Sequence, residues 1–275
     1  MKLRILTGLI MAPVAFWVVG WAPWWVFLLV LLALMEGGLY EYYLISQHAG
    51  FRSVPAIGYF ASAALCLAQA ADLQWPKLLG TAVPATLISS FLLTLLVALR
   101  WPVEPRHYLS ATVSTFFGIF YLGFMLSLLV PLRFSATVDG RHLTMLLVLV
   151  VSFGDIFAYF VGKWIGRTPL IPRISPGKTV EGSVAGFIGS VVVGAVFARF
   201  FWQTDSVKKV MLWAGLIAVA GQVGDLVESA MKRAGELKDS GTLLPGHGGL
   251  LDRIDSLILA VPVLWIAVAL DGILK

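Results

Sequence analysis

Charge is scarce in this chain, and cysteine is almost absent. Only 13% of its 275 residues are Asp, Glu, Lys or Arg, where a soluble domain carries about 25%. Hydrophobic residues make up 59%, and the mean hydropathy is +0.89. A water-soluble globule cannot hide that much apolar surface, but a lipid bilayer can. The single cysteine, Cys66, lies in an apolar run. It excludes a disulfide framework and a cysteine metal site, and it reads as a small buried hydrophobe. A soluble domain, a low-complexity tract and a convincing internal repeat are also missing. The excess of 20 Lys and Arg over 15 Asp and Glu points to membrane-flanking loops and anionic lipid rather than to nucleic acid.

What is there is a series of apolar runs, each near the roughly 20 residues that a helical span needs. Nine are expected, at about 4–20, 24–46, 53–71, 80–99, 109–131, 142–165, 181–202, 208–233 and 254–274. The fold class is therefore all-α, a polytopic integral membrane protein. The first run imitates a signal peptide, with Lys2 and Arg4 before it. A small-residue cleavage site does not follow, so it reads as a retained span. Nine spans put the termini on opposite sides. With the N-terminus inside, Lys and Arg number thirteen on the inner side and seven on the outer, and the positive-inside rule selects that orientation. Residues 1–150 read as packing and lipid-facing helices, and residues 151–275 as the part that carries the site, all within one structural unit.

Polarity gathers in three clusters of the second part, and the orientation places all three on the inner face. In the first, Asp155, Tyr159 and Lys163 recur every four residues and share one helical stripe, followed by Arg167. A charge within a span needs a partner or a watery cavity, which an internal Asp–Lys pair satisfies as well as a functional site does. The second is the stretch Arg173-Ile-Ser175-Pro-Gly-Lys178-Thr179-Val-Glu181-Gly182. It ends like a phosphate-binding P-loop, but Pro172 stands where that motif needs glycine, and no strand is expected before it. A Gly/Pro loop with lysine and hydroxyls at a helix start suits an anion. An ordinary capped turn has the same composition.

The third cluster begins inside a span. Asp225, Glu228, Ser229 and Lys232 lie at i, i+3, i+4 and i+7 and form a polar stripe on an apolar helix. Gly221 and Gly224 leave room for a helix or ligand to approach. The stretch continues through Arg233, Lys238, Asp239 and His247 to Asp252, Arg253 and Asp255. Carboxylates mixed with Lys and Arg suit a hard cation holding a polyphosphate: Asp side chains take the metal, and the cations take the remaining phosphate charge. A solvated charged loop explains the charge but not a polar stripe running into the membrane. Glu36 and Glu41 are further carboxylates in or near the second span, and an intramembrane acid is a functional candidate by default. His48, His107 and His142 read as loop residues.

The run Ser229-Ala-Met-Lys232-Arg233, then Lys238-Asp239-Ser240-Gly241, then Leu244-Pro-Gly-His247-Gly-Gly-Leu-Leu-Asp252-Arg253-Ile-Asp255 resembles the signature of the CDP-diacylglycerol synthase (phosphatidate cytidylyltransferase) family. Asp155, Gly162-Lys163, Gly166-Arg167 and Ser175-Pro-Gly-Lys178-Thr179 are also similar to the family's pattern. The resemblance implies the reaction of CTP with phosphatidate to give CDP-diacylglycerol and pyrophosphate. It implies Mg²⁺, a second cation, and an active-site funnel open to the cytoplasmic side of a bacterial inner membrane. It implies metal ligands at Asp225 and Asp252, with Asp155 and Asp255 beside them. Lys232, Arg233 and His247 are the expected catalytic cations and donor. Ser175, Lys178, Thr179, Lys163, Arg167, Ser229, Lys238, Asp239 and Arg253 are expected to bind substrate. The partners expected are CTP, phosphatidate and membrane lipid, without nucleic acid. Small residues along 182–198 permit close helix packing, within the chain or against a second copy in a homodimer. The competing readings are a secondary transporter and a non-catalytic lipid-binding homologue. Polar groups gathered on one face, and no inverted repeat, count against the transporter.

Overall fold

A computed structural model describes residues 13–75, 81–100, 104–135, 138–204, 206–243 and 248–273. Nearly all of this is helix. Residues 13–20 form α1. Then come α2 (Trp24–His48), α3 (Pro55–Gln74), α4 (Ala82–Arg100) and α5 (Pro105–Arg133). Next are α6 (Gly140–Ile165), strands β1 (Pro169–Ile171) and β2 (Ser175–Thr179), and α7 (Val180–Trp202). The last helices are α8 (Val207–Ala234) and α9 (Leu251–Ile273). Among the described residues eight helices, α2 to α9, are long and apolar enough to cross a membrane. They fall within a few residues of eight of the nine expected spans. The remaining run, 4–20, lies largely outside the described residues. Large apolar side chains face outward along these helices, Trp164 at 85% and Phe60 at 78% exposure among them. Water would tolerate so much exposed apolar surface poorly, and lipid accepts it. The chain is a multi-pass membrane protein.

The helices form two compact units that alternate along the sequence. The first comprises residues 1–134 and 231–254, and the second 135–230 and 255–275. The expected division at residue 150 falls inside the second unit.

In the first unit Val54, Ile57, Ala61, Leu65 and Ile119 make a core, with Val83, Leu87, Phe116 and Phe124 packed on it. Buried hydroxyls pin α2 to α5: the Tyr42 hydroxyl donates to the Ser114 carbonyl at 2.9 Å, and Ser46 and Ser114 share a hydrogen bond of 2.5 Å. The Val54 N–H, at the turn into α3, donates to Thr115 Oγ1 at 2.8 Å. Such bonds matter in lipid, where water cannot satisfy a loose polar group.

In the second unit α6 and α7 pack along their lengths. The small-residue stripe of α7 faces α6 within the same chain: Gly182, Gly186, Gly189 and Ser190 are buried, and the Ser190 hydroxyl donates to the Val150 carbonyl at 2.9 Å. Asp139 caps the start of α6, accepting from the Arg141 N–H at 3.0 Å. Lys209 of α8 meets Asp271 of α9 at 3.0 Å.

The stretch 173–182 reads as a Gly/Pro loop in the sequence, but residues 175–179 of it form the second strand of a β-hairpin over 169–179 and Val180–Gly182 open α7. Strands β1 and β2 run antiparallel, with Pro169 opposite Thr179 and Ile171 opposite Ser175, and a bulge between. Pro169, Pro176 and Gly177 read as loop formers in the sequence. They are tolerated because the hairpin has only two strands, so each has an unpaired edge on which a missing N–H costs nothing.

Candidate active site

Within the second unit, three carboxylates converge. Asp225 and Glu228 come from α8, one turn apart, and Asp255 comes from α9. One ligand oxygen from each lies within 4.8 Å of the others. The backbone allows this because α8 carries glycine at 224: a Cβ there would stand 2.6 Å from the Asp255 carbonyl oxygen and 3.3 Å from Ser256 Cα. Only a residue without a side chain lets α9 come so near. Glu228 and Asp255 are buried, and Asp225 is about a third exposed, at 30% of its side-chain surface.

Lys178 reaches this cluster from the hairpin and forms an ion pair with Asp225. Asp155 on α6 is exposed and lies in electrostatic range of both Asp225 and Lys178. The Ser229 hydroxyl is 3.5 Å from Asp225 Oδ1. Thr179 faces the backbone instead: its hydroxyl caps α7, accepting from the Gly182 N–H at 3.2 Å. Glu181 accepts from the Arg167 and Thr168 N–H groups at 3.2 Å each. The hairpin is thus tied at both ends, which fixes the root of Lys178. Arg167 and Lys163 are exposed, and the Lys163 ammonium lies 5.8 Å from the centre of the Tyr159 ring.

Three neighbouring carboxylates repel one another, and Lys178 offsets part of that charge. A hard divalent cation takes oxygen ligands in this kind of setting. The donor set of Asp225, Glu228 and Asp255 therefore fits Mg²⁺ chemically. Of these, Asp225 and Asp255 were expected as metal ligands. Glu228 was visible in the stripe but was not among the expected site residues. Its spacing with Asp225, one turn apart on the same face, was the signal.

Asp252 belongs to the first unit and is held differently. Its Oδ1 pairs with Lys232 at 2.6 Å, and its Oδ2 accepts from the N–H groups of Gly249 at 3.0 Å and Ser240 at 3.2 Å. Burial pushes such a carboxylate toward its neutral form, and these donors favour the charged one. Lys232, expected on a substrate phosphate, is engaged with this carboxylate. Arg233 is exposed and donates to the Leu237 carbonyl at 3.0 Å. Lys238, Asp239 and Arg253 are exposed around the same stretch. Ser175, on β2, is half-buried. His247 lies outside the described residues.

Comparison with known proteins gives these clusters a context. The cytidylyltransferase family model matches residues 2–271. The chain belongs to the cytidylyltransferase family. A phosphatidate cytidylyltransferase of Synechocystis is 39% identical over 194 residues, covering 61% of this chain and 66% of that protein. The phosphatidate cytidylyltransferase of Bacillus subtilis is 44% identical over 122 residues, 44% of this chain and 45% of that protein. A protein of Escherichia coli named YnbB, described as uncharacterized, is 38% identical over 166 residues, 59% of this chain and 55% of that protein. The chain thus spans between about half and two thirds of the length of the curated relatives it matches.

Proposed function

We propose that the chain transfers CMP from CTP to phosphatidate, releasing pyrophosphate and forming CDP-diacylglycerol in the bilayer. The observation that carries this reading is the Asp225–Glu228–Asp255 cluster with Lys178 beside it, on a chain of this family. An acidic cluster with a cation set against it suits a metal-bound polyphosphate better than it suits either ion alone.

The nucleophile in this reading is a phosphate oxygen of phosphatidate, and the bond that breaks joins the α- and β-phosphates of CTP. A phosphate monoester has a second pKa of about 6 and is already largely a dianion near neutrality, so no side chain need remove a proton. What remains is to bring two polyanions together and to stabilise the leaving pyrophosphate. Asp225, Glu228 and Asp255 would hold Mg²⁺, which when bound supplies positive charge to phosphate oxygens. Lys178 serves as the mobile cation of the site, released from Asp225 to a phosphate oxygen when substrate is present. Asp155 adds a further negative charge in electrostatic range of Lys178. Ser229 orients Asp225. Asp252, paired with Lys232, also takes part in the reaction, and Arg233, Lys238 and Arg253 are the further cations expected to meet phosphate. In this reading the site faces the cytoplasm of a bacterial inner membrane, which the excess of Lys and Arg on the side of the N-terminus supports as to sidedness.

The test is turnover by purified protein in detergent micelles with phosphatidate and labelled CTP. Labelled lipid and pyrophosphate should appear only when both substrates and Mg²⁺ are present, and EDTA should stop the reaction. Absence of product under conditions in which a Bacillus subtilis control works would refute the reading.

A further inference from the structure

Glu41 lies on α2, in a chain segment remote from every cluster singled out above, and its side chain is fully buried, at 0% exposure. Its carboxylate does not point into hydrocarbon. Oε1 accepts from the Leu250 N–H at 3.0 Å, and Oε2 accepts from the Leu251 N–H at 2.7 Å and from the Ser240 hydroxyl at 2.8 Å. Leu250 and Leu251 stand at the start of α9, where free N–H groups and the helix dipole favour an anion. Charge-assisted bonds of this kind offset the cost of burying the carboxylate.

The contacts continue to Asp252. The one proton of the Ser240 hydroxyl goes to Glu41, so its oxygen is left to accept, and it does so from the Asp252 N–H at 3.3 Å. The Ser240 N–H in turn donates to Asp252 Oδ2 at 3.2 Å, beside the bond from the Gly249 N–H at 3.0 Å. The glycine matters because a Cβ at 249 would come within 2.5 Å of Glu41 Oε2. One carboxylate on α2 thus fixes the serine, the glycine and the helix start that together aim the Asp252 carboxylate.

We infer that Glu41 is a positioning residue for Asp252. It orders Ser240 and residues 249–252 from about 200 residues away in the chain, without itself reaching substrate. The inference rests on the proposed reading in one respect, that Asp252 takes part in the reaction. A mere helix cap needs only a neutral serine, threonine or asparagine next to the helix. A buried charge that gathers three donors is a costly substitute unless the geometry it sets is used.

The experiment compares wild type, Glu41→Gln, Ser240→Ala and the double variant, all full-length in detergent micelles, by two readouts. The first is steady-state kinetics. Glu41→Gln should lower kcat by about tenfold, equivalent to one hydrogen-bonded interaction lost in the transition state, with both KM values within about twofold. The double variant should lose no more than the worse single variant, because both act through one path. The second is amide hydrogen exchange, which should accelerate at 249–252 in Glu41→Gln while α3 and α4 stay unchanged. A wild-type kcat in Glu41→Gln, or losses that multiply in the double variant, overturns the inference. So does unchanged exchange at 249–252. If Glu41→Gln does not fold, Ser240→Ala decides alone by the same kcat and exchange criteria. If the wild type shows no turnover, the proposed function fails, and the exchange arm still decides whether Glu41 orders the Asp252 stretch.

Discussion

Asp225 and Asp252 are both carboxylates on long apolar helices, and each is paired with a lysine. Their surroundings are opposite. Asp252 is 14% exposed and is met by Lys232 and two backbone N–H groups, with the Glu41–Ser240 contacts behind them. Asp225 is 30% exposed, its lysine comes from a hairpin, and two more carboxylates crowd it. In one unit the protein supplies the donors that a negative charge requires. In the other it gathers three carboxylates with Lys178 set against them. The first arrangement fixes how a carboxylate is aimed, and the second suits a cation.

The largest expected effects test that contrast directly. Asp225→Asn should abolish measurable turnover, a loss of at least about 100-fold for an electrostatic group at the reacting centre, and should not lower the thermal midpoint, because it relieves like-charge repulsion. Asp252→Asn should lower both, because it breaks a largely buried ion pair with Lys232 and weakens the bonds from the Gly249 and Ser240 N–H groups. Turnover and thermal unfolding of the two variants side by side decide the matter: equal destabilisation by both would erase the distinction. Next, Lys178→Met should raise the KM for CTP by about tenfold through loss of one charge-assisted contact, with the fold intact, and steady-state kinetics reads it. Unchanged kinetics would reduce the Lys178–Asp225 pair to a structural tie.

Smaller effects come from carboxylates that belong to neither cluster. Both oxygens of Glu36 on α2 are buried and make no hydrogen bond among the described residues. Glu36→Gln should raise the thermal midpoint by a few degrees, since a buried charge without hydrogen-bonded partners is costly, and should leave turnover unchanged. A fall in kcat would instead reveal a functional acid there. The smallest is Asp139→Ala, which removes the α6 cap at a cost of about 1 kcal/mol. Burial works to raise the Asp139 pKa, but the His142 hydrogen bond and charge and the capped N–H groups hold it below the ordinary carboxylate value. The stabilisation is therefore present above the unfolded-state pKa and is lost as pH falls through the folded one. Thermal melts of both proteins at neutral and acid pH should differ at the first and converge at the second.

Much of this was legible in the sequence. Apolar runs located the helices, because lipid forces every spanning segment to satisfy its backbone within itself. Helical spacing put Asp225, Glu228 and Ser229 on one face, and the close approach expected at Gly224 is made by α9. The hairpin was not legible: strands of three and five residues rich in Pro and Gly leave no alternating pattern to read. Glu41 stood out as an intramembrane acid, but its partners at positions 240, 250 and 251 were not legible. Periodicity reports what shares a helix face and is silent on what folding brings from 200 residues away. The resemblance directed attention to Asp252 as a metal ligand; its bonds to Lys232 and to the Ser240 and Gly249 N–H groups were not legible in the sequence.

The Glu41–Ser240 bond spans 199 residues, and that interval is also a time. At roughly 5–20 residues per second of synthesis, α2 leaves the ribosome about 10–40 s before Ser240 is made. The dock is finished before its cargo exists. The stretch that carries Asp252 can therefore be caught as it emerges, and a version of the chain rearranged to make residues 231–254 ahead of α2 would have to wait, unanchored, for the carboxylate that orders them.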